Sequence, residues 1–197
     1  MARGMRTDEK IILIAVDLFA KQGYHNTTVR QIAQRLEISN PTIYAHFKSK
    51  AEIGRRVIKL FETSYVDRLV ESIRALPENA EIRINKAISW TGDFGAKNLE
   101  LMLTYLSFRK DLLADPEFEA ALISARLKHE ACIEGILRLG MRQGLISKQL
   151  DPKVLASLYL ATTRGMLQEW SESQHRLSGK EFLKAFRTVF FKGILSS

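Results

Sequence analysis

The stretch at residues 27–50, TTVRQIAQRLEISNPTIYAHFKSK, decides the fold of this 197-residue chain. It contains two short helical patterns, and a residue suited to capping a helix precedes each one. Thr28 and Gln31 have the spacing of a capping box, and Ser39 precedes a first helical turn that contains Pro41. The sequence therefore predicts two short helices joined by a tight turn.

Each of these two predicted helices has one narrow apolar face. Ile32, Ala33 and Leu36 share a face of the first helix, and Ile43 and Phe47 stand four residues apart on the second. We expect the two faces to pack against each other. The opposite face of the second helix carries small or hydrogen-bonding side chains and no carboxylate, at Asn40, Pro41, Thr42, Tyr44, Ala45 and His46. This layout is typical of a helix-turn-helix, whose second helix enters the major groove of DNA.

Residues 12–58 resemble the DNA-binding domain of the TetR family of transcriptional regulators. The resemblance rests on positions that stand in the family's order and spacing: Phe19, Gly23-Tyr24, Thr27-Thr28, Ile32-Ala33, Ile38-Ser39, Thr42-Ile43-Tyr44, Phe47 and Ser49-Lys50. Two positions depart from it, since Glu37 replaces the usual turn glycine and Ala45 is smaller than the residue often found in its place. If the backbone at Glu37 is left-handed, we expect a strain of about 1 kcal/mol relative to glycine.

The resemblance also implies which side chains contact DNA. Thr28, Tyr44 and Lys50 would hold phosphates. Asn40, Thr42, Arg30 and His46 would reach base edges, where an asparagine pairs with adenine and a threonine methyl meets that of thymine. The full set of expected DNA-binding residues is Thr28, Arg30, Ser39, Asn40, Pro41, Thr42, Tyr44, His46 and Lys50. The alternative is a helical pair that serves only structure.

Composition and charge agree with a globular DNA-binding chain. Apolar residues make up 46% of the sequence, and the formal net charge is +8, of which residues 1–50 carry half. Such a density of positive charge favours a polyanionic partner. A basic surface that contacts only solvent would have the same charge pattern, so that alternative stays open. The single cysteine, Cys132, excludes an internal disulfide framework, and no stretch near the start is long enough for a signal core or membrane span. We expect a soluble, cytoplasmic protein without membrane contact.

The rest of the chain predicts an all-α fold. A basic arm at residues 1–6 precedes a first helix capped by Thr7 or Asp8 and ended by Gly23, and a long helix runs from Ser49 until Pro77 stops it. Later helices are separated at residues 92–95, 115–116, 144–151 and 171–179, and residues 116–142 would span about 40 Å if continuous. We expect a three-helix helix-turn-helix domain at residues 1–50 and a larger helical effector-binding and dimerisation domain at residues 51–197.

The last two predicted helices, residues 152–170 and 179–195, are rich in Leu, Ala, Phe and Val. This is more apolar surface than one helix pair needs internally, so two chains that paired these helices would bury it in a four-helix contact. The TetR resemblance implies the same homodimer. Two copies related by a dimer axis would read a palindrome with half-sites about 34–36 Å apart, or a multiple of that distance.

The larger domain offers candidates for a ligand pocket, because TetR-like proteins commonly bind a small apolar or amphipathic molecule there. The candidates are Phe61, Trp90, Phe94, Met102, Tyr105, Phe108, Arg126, Met166 and Trp170, with Arg109 and His129 as further polar groups. Aromatic and Met residues at helical spacing also fill cores, and that reading stays open. His129 and Cys132 could supply two metal ligands, but two ligands alone do not make a metal site.

We find no phosphate-cradling glycine loop, nucleophile elbow or cysteine motif, so we predict neither an enzyme nor a cofactor. The leading hypothesis is a dimeric repressor that an effector releases from a palindromic operator on double-stranded DNA. An effector-independent architectural DNA-binding protein and a helical interaction scaffold are the alternatives.

Overall fold

The computed structural model describes residues 5–173 and 178–194, and in these ranges it is helical and free of strands. The all-α prediction is therefore confirmed, with a helix-turn-helix at the N-terminal end. The helices are α1 Thr7–Gln22, α2 Val29–Arg35, α3 Asn40–His46, α4 Lys50–Phe61, α5 Arg68–Arg74, α6 Ala80–Lys97, α7 Leu99–Asp111, α8 Pro116–Arg142, α9 Pro152–Glu172 and α10 Gly179–Ile194. No helix in the described residues is both long and apolar enough to cross a lipid bilayer.

Side-chain caps start α2 and α3 where the sequence predicts them. The backbone N–H of Gln31 donates to Thr28 Oγ1 at 3.2 Å, and the backbone N–H of Thr28 donates to Gln31 Oε1 at 2.7 Å. This reciprocal pair completes the capping box. At the next helix, Ser39 Oγ accepts the backbone N–H of Thr42 at 3.3 Å. Both caps satisfy amide groups that a helix start would otherwise leave unpaired.

The first helix begins earlier than predicted. A cap at Thr7 or Asp8 was expected, but the N-cap is Arg6, because the Glu9 carboxylate accepts the Arg6 N–H at 3.1 Å. The guanidinium of Arg6 pairs with Asp8 at 3.0 Å, whereas residues 1–4 of the predicted basic arm lie outside the described residues. The helix ends at Gly23 as predicted, where φ is 80°.

The chain divides into two compact units, and the first combines the residues up to Ser64 with Asn98–Ala125. Its core joins α1 to α7: Phe19 packs on Phe108 with ring centroids 5.5 Å apart, and Thr104 Oγ1 donates to the Val16 carbonyl at 3.2 Å. The buried side chains contributed by α1, α2 and α3 include Ile11, Ile12, Ala15, Val16, Phe19, Ile32, Ala33 and Ile43. Thus α1 packs on α4 and α7 and supports α2, which packs on α3. The domain boundary after residue 50 stays a prediction.

The second unit combines Tyr65–Lys97 with the described residues from Arg126 onward. Its apolar core draws on α5, α6, α8, α9 and α10 and includes Leu69, Ile84, Ile88, Ile133, Ile136, Leu137, Tyr159, Phe186 and Phe190. Tyr159 forms an aromatic cluster with Phe186 and Phe190, at centroid distances of 5.5 and 5.8 Å. This core places α6, α9 and α10 side by side.

The helix predicted from Ser49 to Pro77 is not a single α-helix. Between α4 and α5 lies a π-helical segment, Glu62–Asp67. The hydroxyls of Thr63 and Ser64 donate to backbone carbonyls of the preceding turn, at 2.9 Å to Lys59 and 2.5 Å to Leu60. Such side-chain bonds compete with the backbone ladder, and short π segments inside α-helices recur at functional sites.

The predicted break at residues 92–95 is wrong, because α6 runs through Gly92 and Gly95 to Lys97. Glycine inside a helix costs about 1 kcal/mol relative to alanine, which a tertiary contact can offset. A Cβ built at Gly92 would collide with the side chain of Leu183 on α10. The glycine therefore permits the close approach of α10 and does not end the helix. The predicted single helix at residues 116–142 is confirmed as α8.

Candidate nucleic-acid interface and effector pocket

The helix α3 presents the polar face that the sequence predicts. Ile43 and the C-cap residue Phe47 are buried, while Tyr44 on the other side is 53% exposed. Asn40, Pro41, Ala45 and His46 are exposed as well, and Thr42 is half-buried. The outer face therefore offers amide, hydroxyl, imidazole and methyl groups to a partner, with no carboxylate among them. These groups suit the hydrogen-bonding edges and thymine methyls of a DNA major groove.

Hydrogen bonds hold the start of α3 rigidly. The hydroxyls of Ser39 and Thr42 lie 2.8 Å apart, in addition to the cap bond between them. The preceding turn passes through Glu37, whose φ of 57° is left-handed. A glutamate tolerates this conformation less well than glycine does, so the strain anticipated at this position is present.

The start of α2 is a second place suited to phosphate. Thr28 and Arg30 are exposed there, and the first turn of α2 carries no acidic residue. Gln22 Nε2 donates to Thr27 Oγ1 at 3.1 Å and to Gln31 Oε1 at 3.2 Å, which fixes the loop before α2. The open amides of a helix N-terminus attract an anion.

Lys50 makes structural hydrogen bonds that the sequence does not predict. Its Nζ donates to the backbone carbonyls of Tyr24 and Thr27, each at 2.9 Å, and lies 4.2 Å from the centroid of the Tyr24 ring. Partial burial lowers the pKa of the ammonium group. Two of its three N–H groups thus tie α4 to the loop between α1 and α2, and its phosphate contact stays a prediction.

Tyr24 links this loop to the base of the first unit. Its ring meets Phe108 and Phe118 edge to face, at 5.5 and 5.2 Å. Burial, followed by the charges of Glu117 and Asp115, raises the pKa of its hydroxyl to about 12. A Cβ at Gly54 would stand 2.7 Å from the Phe118 ring, so α4 and the start of α8 pack closely. The sequence shows Tyr24 only as part of the family pattern.

A cavity of about 380 Å³ lies within the second unit among α6, α9 and α10. Its walls are mostly apolar, and its charged lining residues, Asp93 and Lys180, are both exposed. The walls include Gly92, Gly95, Ala96, Met166, Leu167, Trp170, Phe182 and Leu183. The size and lining suit a small, largely apolar molecule.

Two of the predicted ligand-binding residues, Met166 and Trp170, line this cavity. The others lie elsewhere. Phe61, Met102, Tyr105 and Phe108 are buried in the first unit, where Phe61 stacks on Tyr105 with centroids 3.7 Å apart.

Three further candidates belong to the second unit but are absent from the cavity lining. Trp90 donates its indole N–H to the Tyr65 carbonyl at 3.2 Å, Phe94 meets the Tyr65 ring at 5.0 Å, and Arg126 pairs with Glu130 at 3.4 Å. Their role as ligand contacts stays a prediction. No group of three His, Cys, Asp or Glu side chains in the described ranges could hold a metal ion.

A buried polar cluster adjoins the cavity at Thr91, and sequence reasoning named only one of its members, His129, as a polar candidate. The hydroxyls of Tyr65 and Thr91 lie 2.9 Å apart, and His129 packs against the Tyr65 ring at 5.2 Å. Burial lowers the pKa of His129 to about 4, and its Nε2 has no hydrogen-bond partner among the described residues. The hydroxyl of Tyr159 is also buried beside Thr91, and burial raises the pKa of this phenol. These residues are far apart in the chain, and no local pattern marks them.

Fold and interface together define a class: an all-helical protein with an N-terminal helix-turn-helix. The family profile described as bacterial regulatory proteins, tetR family, matches residues 11–57. The fatty acid metabolism regulator protein of Bacillus subtilis strain 168 is 27% identical over 164 residues, which cover 82% of this chain and 81% of that protein.

Solved structures agree with this class. The MbdR regulator from Azoarcus sp. CIB aligns with a TM-score of 0.86 and 26% identity, over 97% of this chain and 100% of that one. FadR from Bacillus subtilis aligns with a TM-score of 0.82 and 23% identity, over 94% and 98% of the two chains. The part of the chain that contains the helix-turn-helix, residues 11–57, therefore matches the tetR family of bacterial regulatory proteins, and the whole chain is similar to regulators of this class.

Proposed function

We propose that this protein is a dimeric, sequence-specific DNA-binding repressor, released from a palindromic operator by a small apolar or amphipathic effector. The outer face of α3 carries the proposal. It exposes Asn40, Tyr44 and His46 without an acidic side chain, while Ile43 anchors the opposite face in the core. A helix held in this way can enter a major groove without losing its packing.

In the proposed complex, Thr28, Tyr44 and Lys50 position the protein on phosphates, while residues of α2 and α3 read bases. Asn40 and Thr42 stand at the N-terminal end of α3, where recognition helices meet base edges. Arg30 and His46 are exposed on the same two helices and extend the readout. Phosphate contacts would set the register, and base contacts would set the sequence preference.

The proposed dimer pairs α9 and α10 of two chains. Large apolar side chains are exposed on these helices, with Val154 65% and Val189 73% exposed and Leu158 also open to solvent. Burying such side chains against a second copy removes apolar surface from water. Val189→Glu should give monomers in analytical ultracentrifugation. Leu113→Glu places the same carboxylate at an exposed apolar position of the first unit and should leave the dimer intact. A dimeric Val189→Glu variant would contradict this interface.

The cavity among α6, α9 and α10 supports an effector of largely apolar character. The B. subtilis FadR structure was determined in complex with stearoyl-CoA, and a relative is named as a regulator of fatty acid metabolism. Both names agree with an amphipathic effector for this chain. An effector that binds more tightly to one of two positions of the helical segment at residues 50–74 would change the distance between the two recognition helices of the dimer. The difference between its affinities for these two positions would make the molecule an inducer.

The decisive experiment selects bound sequences from a random duplex pool at physiological salt. A palindrome with half-sites about 34–36 Å apart, or a multiple of that distance, is expected. Tyr44→Ala and Thr42→Ala should lose retention on that operator, whereas Lys110→Ala, a change at an exposed residue of α7, should keep it. Recovery of no preferred sequence, with binding that falls steeply with salt, would support the architectural alternative. Absence of DNA retention would support a helical scaffold.

A further inference from the structure

The cavity among α6, α9 and α10 has a buried part and an exposed part that differ in chemistry. In the buried part, the polar side chains of the described lining are Thr91 and Thr163, each 9% exposed. In the exposed part lie Asp93, Ser178 and Lys180. Glycines and apolar side chains line the rest of the cavity. The charged groups are therefore confined to the part that meets solvent.

The two buried threonines have already committed their hydrogens. Thr91 donates to the Ala87 carbonyl at 3.1 Å, and Thr163 donates to the Tyr159 carbonyl at 2.9 Å. A hydroxyl has one hydrogen, so neither threonine can donate to a ligand as well. The backbone N–H groups inside α6 and α9 donate to carbonyls of the preceding helical turn. None of these groups offers a ligand in the buried part a hydrogen-bond donor.

The two parts of the cavity therefore suit opposite ends of a molecule. A carbonyl or carboxylate oxygen in the buried part would lose its hydration without gaining a donor, which is unfavourable. In the exposed part the same oxygen stays in contact with water and with the side chain of Lys180. A hydrocarbon chain has the reverse preference, because contact with Met166, Leu167 and Leu183 removes it from water.

The exposed part of the cavity is separate from the proposed dimer interface. The exposed apolar residues of that interface, Val154, Leu158 and Val189, are absent from the cavity lining. On α10, Lys180 precedes Val189 by about two and a half helical turns, so the two side chains lie on opposite sides of the helix. A second copy that covers Val189 would leave the exposed part open.

We propose that the cavity binds a small amphiphile in one orientation. Every polar group of this molecule stands in the exposed part beside Lys180, and an uninterrupted hydrocarbon chain fills the buried part. The inference rests on the proposed effector function and deepens it, because it states where on the effector the polar group stands. A chain with a carbonyl group at its middle is rejected for the same reason.

The test uses methyl nonanoate and pentyl valerate, two uncharged esters with the same molecular formula. The ester group stands at one end of methyl nonanoate and in the middle of pentyl valerate. Isothermal titration calorimetry measures their affinities for the full-length protein. We expect methyl nonanoate to bind about fivefold to a hundredfold more tightly, because the mid-chain carbonyl of pentyl valerate must lose its water without gaining a donor.

A donor added inside the cavity should weaken this preference. Met166→Gln places a side-chain amide in the lining, and we expect it to reduce the preference about threefold to tenfold, the range for one hydrogen bond. Met141→Gln is the matched control, since Met141 packs on the core of the second unit but does not line the cavity. It should keep the preference of the unchanged protein.

Tryptophan fluorescence locates the bound ester. Trp170 lines the cavity and Trp90, the other tryptophan of the chain, does not. Methyl nonanoate should therefore change the emission of the unchanged protein, and Trp170→Phe should remove most of that change.

Equal affinities for the two esters, tighter binding of pentyl valerate, absence of binding, or an emission change that survives Trp170→Phe would each overturn the proposed orientation. Release of operator DNA is measured separately. Binding with the expected preference but without release would support the orientation and contradict the proposed effector role, so the two failures can be told apart.

Discussion

Replacing Lys50 with methionine tests whether this lysine holds the helix-turn-helix together. The change keeps the length of the side chain but removes two hydrogen bonds from a charged donor, to the carbonyls of Tyr24 and Thr27. Each such bond contributes about 1.5–3 kcal/mol, and we take the low end because the ammonium is partly solvated. The expected loss of unfolding free energy for Lys50→Met is therefore about 3 kcal/mol.

Thermal unfolding followed by circular dichroism measures this loss. For a chain of this size 1 kcal/mol corresponds to about 2–4 °C, so the Tm of Lys50→Met should fall by about 6–12 °C. Lys48→Met is the matched control, since Lys48 is an exposed neighbour that loses the same charge. Its Tm should change by about 1 °C or less.

DNA binding then separates the two roles of Lys50. If the lysine also contacts a phosphate, the slope of log affinity against log salt should become shallower by about 1 for Lys50→Met, measured below its Tm. A Tm equal to that of the unchanged protein, with the shallower salt slope alone, would refute the structural role derived from the two hydrogen bonds.

Three further changes follow from single features of the structure. Glu37→Gly should raise the unfolding free energy by about 1 kcal/mol in urea titrations, since φ is 57° there, and a lower stability would contradict the strain. His129 has a folded pKa near 4 against an ordinary 6.5, so the unfolded state binds more protons. The contribution of His129 to the unfolding free energy should therefore be fully present above about pH 6.5, and about 2 kcal/mol of it should be lost by pH 5. A His129→Leu variant with the same pH dependence of stability would exclude His129 as the cause. Gly92→Ala should destabilise by about 1–3 kcal/mol through its collision with Leu183, whereas Gly135→Ala, which meets nothing within 4 Å, should stabilise by about 0.5–1 kcal/mol. Equal effects of the two alanines would contradict the close packing of α6 on α10.

The buried polar cluster of the second unit joins residues that are distant in the chain. Tyr65, Thr91 and Tyr159 come from three different helical segments, and His129 comes from a fourth. A buried polar cluster stabilises the fold only when its groups are paired, as the hydroxyls of Tyr65 and Thr91 are here.

Local interactions explain why the sequence alone determined the all-α fold and the helix-turn-helix. The caps at Thr28 and Ser39 bond to groups three residues away, and the apolar faces of α2 and α3 repeat within one or two turns. Such signals depend on neighbours in the chain, so they can be recognised before any tertiary structure is known. The polar outer face of α3 follows from the same periodicity.

Tertiary packing determined the other features of the fold and of the candidate sites. The contacts of Lys50 with the loop before α2, the passage of α6 through Gly92, and the cavity beside Trp170 each join residues that are distant in sequence. The periodicity of a single helix indicates which face is buried but not which helix covers it, how closely that helix approaches, or where a gap remains. Those outcomes depend on the simultaneous fit of several helices, and so does the burial of Tyr159 beside Thr91.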